Sequence, residues 1–336
     1  MQSNANFELG SILVKPGESK DIKIKVTELY ISTPIFMPVT VINGRYTGPT
    51  IFVTAAIHGD ELNGVEIIRQ IRAYVDPQEL SGRLILVPIS NPISFISQSR
   101  DLPDNRDLNR AFPGSKNGSM ASILANTIFG KIVKRSNYGI DLHTAPPGRT
   151  NLPHIRADMS ISGVRYIAKA FGSEIIFDMP GERTMLRYQA CKAGIPTIVY
   201  EAGEPLRFQE YAIKKGVEGI KNILTGLDMV EDGKSRLTCL VSLVVTDHKW
   251  IRAEHGGILI LKVKPGDIVK KGAEIAVNTK PFGTEVNSLF APFTGLVVGT
   301  TTLPMAIPGS AICHIVKLDK KLGDMKRISR VFKINK

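Results

Sequence analysis

Thr50-Ile51-Phe52-Val53-Thr54-Ala55-Ala56-Ile57-His58-Gly59-Asp60-Glu61-Leu62-Asn63-Gly64-Val65-Glu66 is the stretch that decides the fold. An apolar run rich in β-branched residues stops abruptly at His58. From about Glu61 to residue 75 apolar positions recur at helical spacing, at Leu62, Val65, Ile68 and Ile71. The pattern is that of a buried strand, a turn and a helix start. In open α/β sheets, ligands bind outside the carboxyl ends of strands. His58 and Glu61 stand at such an end, three residues apart, and are candidate ligands of a catalytic zinc.

Working outward, two more apolar runs end on an ionisable residue. Tyr138-Gly139-Ile140-Asp141-Leu142-His143 is one, and Gly194-Ile195-Pro196-Thr197-Ile198-Val199-Tyr200-Glu201 is the other. Around them the sequence predicts strands at 82–89 and 174–177 and helices at 119–135, 160–171, 183–193 and 208–225. Residues 7–45 alternate apolar and polar side chains and end at Asn43-Gly44, which suits antiparallel strands feeding a sheet. Strands alternating with helices predict an α/β fold with a mainly parallel mixed sheet flanked by helices. Residues 1–230 are assigned to this catalytic domain.

Composition shifts at Glu231-Asp232-Gly233-Lys234-Ser235, read as a linker. Beyond it only short β-like runs separated by glycine remain. Gly257-Ile258-Leu259 leads to Val269–Ile275, and Gly295-Leu296-Val297 leads to Ile307–Ile312, in two similar halves. Residues 236–318 are therefore expected to form a small all-β domain, and residues 319–336 a basic tail.

The chain has 336 residues, 43% hydrophobic and 22% charged, which suits a globular protein with ample core. No apolar run is long enough to span a bilayer, and the polar opening Met1–Asn6 is unlike a signal peptide. Cys191, Cys239 and Cys313 give neither a disulfide framework nor a CxxC metal site, so a cytoplasmic setting is expected. The net charge of +12 is partly concentrated in the tail. Without an RNP motif, zinc finger or helix-turn-helix it is read as a solvated surface, and no nucleic acid partner is expected.

Three strand ends thus carry His58 with Glu61, His143, and Glu201. Parallel strands would gather them at one sheet edge. A catalytic zinc takes three protein ligands, His2Glu being one known set, and keeps a position for water. His58, Glu61 and His143 fill the set, one zinc per chain. Glu201 remains free to take the water's proton and pass it to the leaving amine. A polar loop over 97–118 adds Arg100, Arg106 and Arg110, whose guanidinium forks match carboxylates. Surface pairing with Asp101, Asp104 and Asp107 is the plain alternative for all three. Together these residues point to hydrolysis of an amide flanked by a carboxylate.

His58-Gly59-Asp60-Glu61, Asp107-Leu108-Asn109-Arg110, Asp141-Leu142-His143 and Tyr200-Glu201-Ala202-Gly203 occur in this order. Over about residues 35–225 the chain resembles the succinylglutamate desuccinylase/aspartoacylase family, zinc-dependent N-acyl-amino-acid amidohydrolases related to the zinc carboxypeptidases. The resemblance implies a zinc carboxypeptidase-like fold and the same zinc ligands and base. It singles out Arg100 as the residue that polarises the carbonyl, and Asn109 and Arg110 as binders of the substrate carboxylate. The loop around Arg149, Asn151, His154 and Arg156 is similar to the substrate-facing loop of bacterial members. The aspartoacylase's second carboxylate-binding arginine has no match here.

The C-terminal region is similar to the barrel or hammerhead of that bacterial subgroup, and its repeat to biotinyl and lipoyl carriers. Lys280 lacks the carrier context, so an unmodified domain that shapes the active-site mouth or makes a homo-oligomer contact is expected. The implied substrate is a small anionic N-acyl amino acid. Two other functions fit the residues: a carboxypeptidase acting on peptides or polyglutamate, and a non-catalytic binding module for an acidic partner.

Overall fold

The computed structural model describes residues 2–29, 31–231, 242–283 and 286–318. Most of the expected linker, Cys239 and the basic tail lie outside the described residues. Strands β1 (Phe7–Leu9) and β2 (Ile12–Val14) form a hairpin that precedes a long antiparallel pair, β3 (Glu18–Glu28) and β4 (Pro34–Asn43). The central elements follow: β5 (Tyr46–Ala55), α1 (Asn63–Tyr74), β6 (Ser81–Val87), α2 (Pro92–Ile96), α3 (Met120–Lys131), β7 (Tyr138–His143), β8 (Arg149–Ala157), α4 (Ser162–Phe171), β9 (Ile175–Asp178), α5 (Leu186–Lys192), β10 (Thr197–Gly203) and α6 (Glu210–Gly226). Nine short strands complete the described chain: β11 (Leu243–Val245), β12 (His248–Arg252), β13 (Gly257–Leu261), β14 (Ile268–Val269), β15 (Glu274–Thr279), β16 (Val286–Phe290), β17 (Gly295–Thr301), β18 (Met305–Ala306) and β19 (Ala311–Lys317).

Strands β6, β5, β7 and β10 lie side by side and parallel at the centre of the main sheet. Antiparallel neighbours flank them, β4 beside β6 and β8 beside β10. The central strands read as continuous apolar runs because both faces are covered. Ile51, Val53 and Ala55 of β5 join one core with Ile67, Ile68 and Ile71 of α1 and residues of α4 and α6. Phe52 faces the opposite core, with Leu124 and Ile128 of α3 and Leu186 of α5. Each such fully buried side chain contributes roughly 1.5–3 kcal/mol. The sheet therefore sits between two helical layers, and the expected α/β fold is observed.

The C-terminal strands do two things. β17 pairs with β8, and β19 and β12 follow, so that the main sheet continues into this half of the chain. β16, β15, β13 and β18 form a separate antiparallel sheet. No helix among the described residues is long and apolar enough to cross a membrane.

One expectation is corrected. The segment around Arg149, Asn151, His154 and Arg156 is not a loop but strand β8, hydrogen-bonded to β10 on one side and β17 on the other. Its polar side chains and Pro153 hide the strand pattern. Pro153 is tolerated because pairing with β17 ends at Asn151 and the β10 register shifts between Glu201 and Gly203.

Candidate metal centre and substrate pocket

The parallel register brings the three strand ends together. Ala55 of β5 lies opposite Leu142 of β7, and His143 lies opposite Glu201 of β10. Past Ala55 the chain turns through Ala56, which holds a left-handed φ of 48°. The turn delivers His58 and Glu61 to the same edge, ahead of α1, which begins at Asn63. Gly59 has no substitute here, because a Cβ would stand 2.0 Å from the backbone carbon of Ser94. Gly64 lets α1 approach the strands, since a Cβ there would meet those of Ala55 and Leu142 at 2.8 Å.

His58, Glu61 and His143 are all buried, and their ligand atoms lie within 4.8 Å of one another. Both histidines turn Nδ1 inward: that of His58 lies 2.8 Å from Oε1 of Glu61, and that of His143 lies 2.8 Å from Oε2. The outer nitrogens each meet a carboxylate, His58 Nε2 at 2.9 Å from Asp107 and His143 Nε2 at 2.8 Å from Asp141. A carboxylate behind a ligating histidine fixes its tautomer and raises its basicity. The donor set, its burial and these outer partners all fit a single divalent metal, and the cluster could bind one.

Burial works against charge at each of these groups, but the neighbouring charges dominate. Although burial would lower both imidazoles, Glu61 and Asp107 raise His58, and Asp141 and Glu61 raise His143 well above the usual value. Burial would raise Glu61, yet the two histidines hold it far below the carboxylate range. The backbone N–H of Thr144 also donates to Glu61 at 3.0 Å.

The expected arginine loop divides into two roles. Arg106 pairs with Asp104 at 3.4 Å on the surface, as the plain alternative had it. Arg100 instead reaches the cluster, 3.2 Å from Glu61 and from His58, and donates to Asp107 at 3.1 Å. Arg110 meets Glu182 at 3.0 Å. The side-chain Oδ1 of Asn109 accepts the N–H of Leu186 at 3.0 Å, which ties the loop to the start of α5.

A cavity of about 530 Å³ opens in front of the cluster. Glu201 lines it, receiving the Asn151 amide at 3.0 Å and Arg156 at 3.3 Å. Arg100, Asn109, Arg110, Arg149 and Arg156 line it too. His154 does not. It lies fully buried behind the wall, its Nδ1 2.8 Å from the Leu152 carbonyl and its ring edge-on to Phe177, and burial pushes it down to about 4.

Four contributors went unread in the sequence. Asp141 sits in a quoted motif, but a strand carboxylate next to a histidine has no unique reading. Asp107 reads in the sequence as a surface partner of the loop arginines. Trp250, from β12, enters the cavity wall with the Arg149 guanidinium 4.9 Å from its ring centre. No local signal links residues a hundred positions apart. Arg187 belongs to the short helix α5, yet it is only 4% exposed and lines the cavity. Its Nε and Nη1 have no hydrogen-bond partner among the described residues, and burial lowers it to about 10, which leaves it charged. Within Leu186–Lys192 nothing local separates the buried Arg187 from Lys192 or Gln189.

Residues 47–227 match the family described as the succinylglutamate desuccinylase/aspartoacylase catalytic domain. The chain belongs to this family. Among proteins of known activity, the N-alpha-acetyl-L-2,4-diaminobutyric acid deacetylase of Halomonas elongata is 29% identical over 266 residues, 72% of this chain and 73% of that protein. The product-bound ectoine utilization protein EutE (DoeB) from Ruegeria pomeroyi has a similar fold. Its TM-score is 0.79 at 21% identity, covering 89% of this chain and 95% of that one. A succinylglutamate desuccinylase/aspartoacylase from Rhodobacter sphaeroides aligns with a TM-score of 0.81 at 22% identity, with the same coverages.

Asp107 offers a direct probe of the centre. Asp107→Asn keeps the shape but removes the charge behind His58, and is expected to weaken the binding of a divalent metal at the cluster about 10–100-fold. A competition titration against a chromogenic chelator measures this. Unchanged affinity would show that Asp107 serves Arg100 rather than His58.

Proposed function

We propose that this chain is a zinc-dependent amidohydrolase that removes the acyl group from an N-acyl amino acid, with one zinc held by His58, Glu61 and His143. The observation that carries the reading is the buried His-Glu-His cluster with Glu201 on the adjoining strand, both opening into one cavity. Zinc bound there supplies a water of near-neutral pKa and polarises the carbonyl to be attacked. Glu201 takes the water's proton and returns it to the leaving nitrogen, while Asn151 and Arg156 hold its carboxylate in place. Arg100 supplies a cation beside the developing oxyanion.

Asn109 and Arg110 are assigned to the carboxylate of the amino acid. Arg149, Arg156 and Arg187 line the remaining wall. His154 supports Arg156 from behind, its Nε2 accepting from Nε at 3.4 Å. Arg187 is the informative one. A buried guanidinium with two unpartnered nitrogens is costly, so it is retained for something that arrives. The substrate is therefore assigned a second anionic group, in contrast to the cationic side chain of acetyl-diaminobutyrate. The cavity suits a compact ligand, which favours deacylation over trimming of a long peptide. The free thiols of Cys191 and Cys313 suit a reducing compartment, and the reaction is assigned to the cytoplasm.

The test is a panel of zinc-loaded protein with N-acetyl, N-succinyl and N-formyl derivatives of acidic, neutral and basic amino acids, plus short acidic peptides. Acidic N-acyl amino acids are expected to give the highest kcat/KM. Arg187→Met should lower it for these substrates about 10–100-fold, mainly through KM, and change neutral substrates little. Preference for peptides, or an equal loss across the panel, would reject the assignment.

A further inference from the structure

The four-stranded sheet of the C-terminal half has two unlike faces. Leu259, Ala276, Leu289 and Ala306 point inward and pack on their own core. On the other face the registers align apolar side chains across all four strands. Met305 pairs with Ile258, Ile258 with Thr279, and Thr279 with Val286, and opposed residues in an antiparallel sheet share a face. The next row runs from Ile260 through Val277 to Ser288, and Phe290 closes the end. Ile258, Ile260, Val286, Phe290 and Met305 are between 46% and 64% exposed.

Two further apolar side chains flank the rows, Phe282 in the β15–β16 turn at 91% exposed and Ile307 after β18 at 72%. From these exposures the seven side chains together present an area on the order of the ~800 Å² per partner that a stable pair buries, whereas exposed apolar residues scattered singly are the ordinary case. The rows carry no charge. At their margin Lys262 and Glu274 neutralise each other in an ion pair. That matters in a chain of net charge +12, because most of its surface would repel a second copy. An acidic partner would be drawn to unpaired lysines and arginines, whereas Lys262 at this margin is already paired with Glu274. A flat, uncharged, apolar face is complementary to itself, as a two-fold interface requires.

We propose that the outer face of β16-β15-β13-β18 is the two-fold interface of a homodimer, each copy covering the other's Ile258, Ile260, Val286, Phe290 and Met305. The surface lies apart from the cavity and uses none of its lining residues. Disproof of the deacylase reading would leave it standing.

Sedimentation velocity on the full zinc-loaded chain from about 0.5 to 50 µM tests it. The expected mass is twice 36.8 kDa, and 0.5 M NaCl should leave it unchanged, since the contact is apolar. Ile260→Glu and, separately, Phe290→Arg should each raise the dissociation constant at least 100-fold while keeping the wild-type circular dichroism. A monomer at every concentration would overturn the proposal and leave the face to a different partner. A dimer that survives both substitutions, or one that salt dissociates, would place the interface elsewhere.

Discussion

Glu201→Gln is expected to bind zinc as the wild type does and to lose about 10²–10⁴-fold in kcat. The substitution changes one oxygen for an amide nitrogen. The β10 backbone, its register with His143 and the Asn151 and Arg156 contacts lie around the side chain, so shape is conserved. What disappears is the ability to accept a proton from water, together with one of the two contacts, since an amide nitrogen cannot accept from Asn151 or Arg156. Three readouts separate this from simple damage: zinc content by mass spectrometry stays at one per chain, KM moves by no more than a few-fold, and the melting temperature holds. A variant retaining more than a tenth of wild-type kcat would remove Glu201 from the proton-transfer role and direct attention to the other cavity carboxylates.

Glu61→Gln should have the second large effect, of a different kind. Glu61 stands between two inward-facing imidazole nitrogens, each 2.8 Å from one of its oxygens. Removing its charge takes away an anionic ligand and the group that both histidines answer to. Zinc affinity is expected to fall by more than the 10–100-fold typical of outer partners, and activity with it. Wild-type protein at a thousand-fold excess of zinc over its dissociation constant gains about 4 kcal/mol of stability. Calorimetry should register that gain as a raised melting temperature in the wild type and a much smaller shift in Glu61→Gln. Equal shifts in both proteins would mean that the metal sits elsewhere.

The sequence carried the central sheet and the metal cluster for one physical reason. Both faces of β5, β7 and β10 are buried, so each strand is a continuous apolar run, and the ionisable residue ending it marks the sheet edge. His58, His143 and Glu201 are visible in this way, and Glu61 follows His58 across one hydrogen-bonded turn. Two kinds of feature stayed hidden. Strand β8 is fixed by pairing on both sides, which polar residues and Pro153 do not announce locally. Asp107 reaches His58, and Arg187 and Trp250 reach the pocket, by tertiary placement alone. Among the arginines of the 97–118 loop, spacing could not tell the surface pair Arg106–Asp104 from Arg100, which reaches across to Glu61.

The double pairing of β8 also decides what can be cut from this protein. Arg149, Thr150 and Asn151 share hydrogen bonds with Thr301, Thr300 and Gly299 on one edge, while β8 is tied to β10 on the other. A shortened chain ending near residue 231 would retain His58, Glu61, His143 and Glu201. It would also leave the Arg149–Asn151 end of β8 unpaired on that edge, where only β9 would remain, through Ile155–Ala157, and such bare backbone groups invite association with other chains. The same cut would take away Trp250 and leave the Arg149 side chain without its aromatic support. The catalytic half is thus recognisable on its own as a pattern in sequence, but as a physical object it has no boundary there.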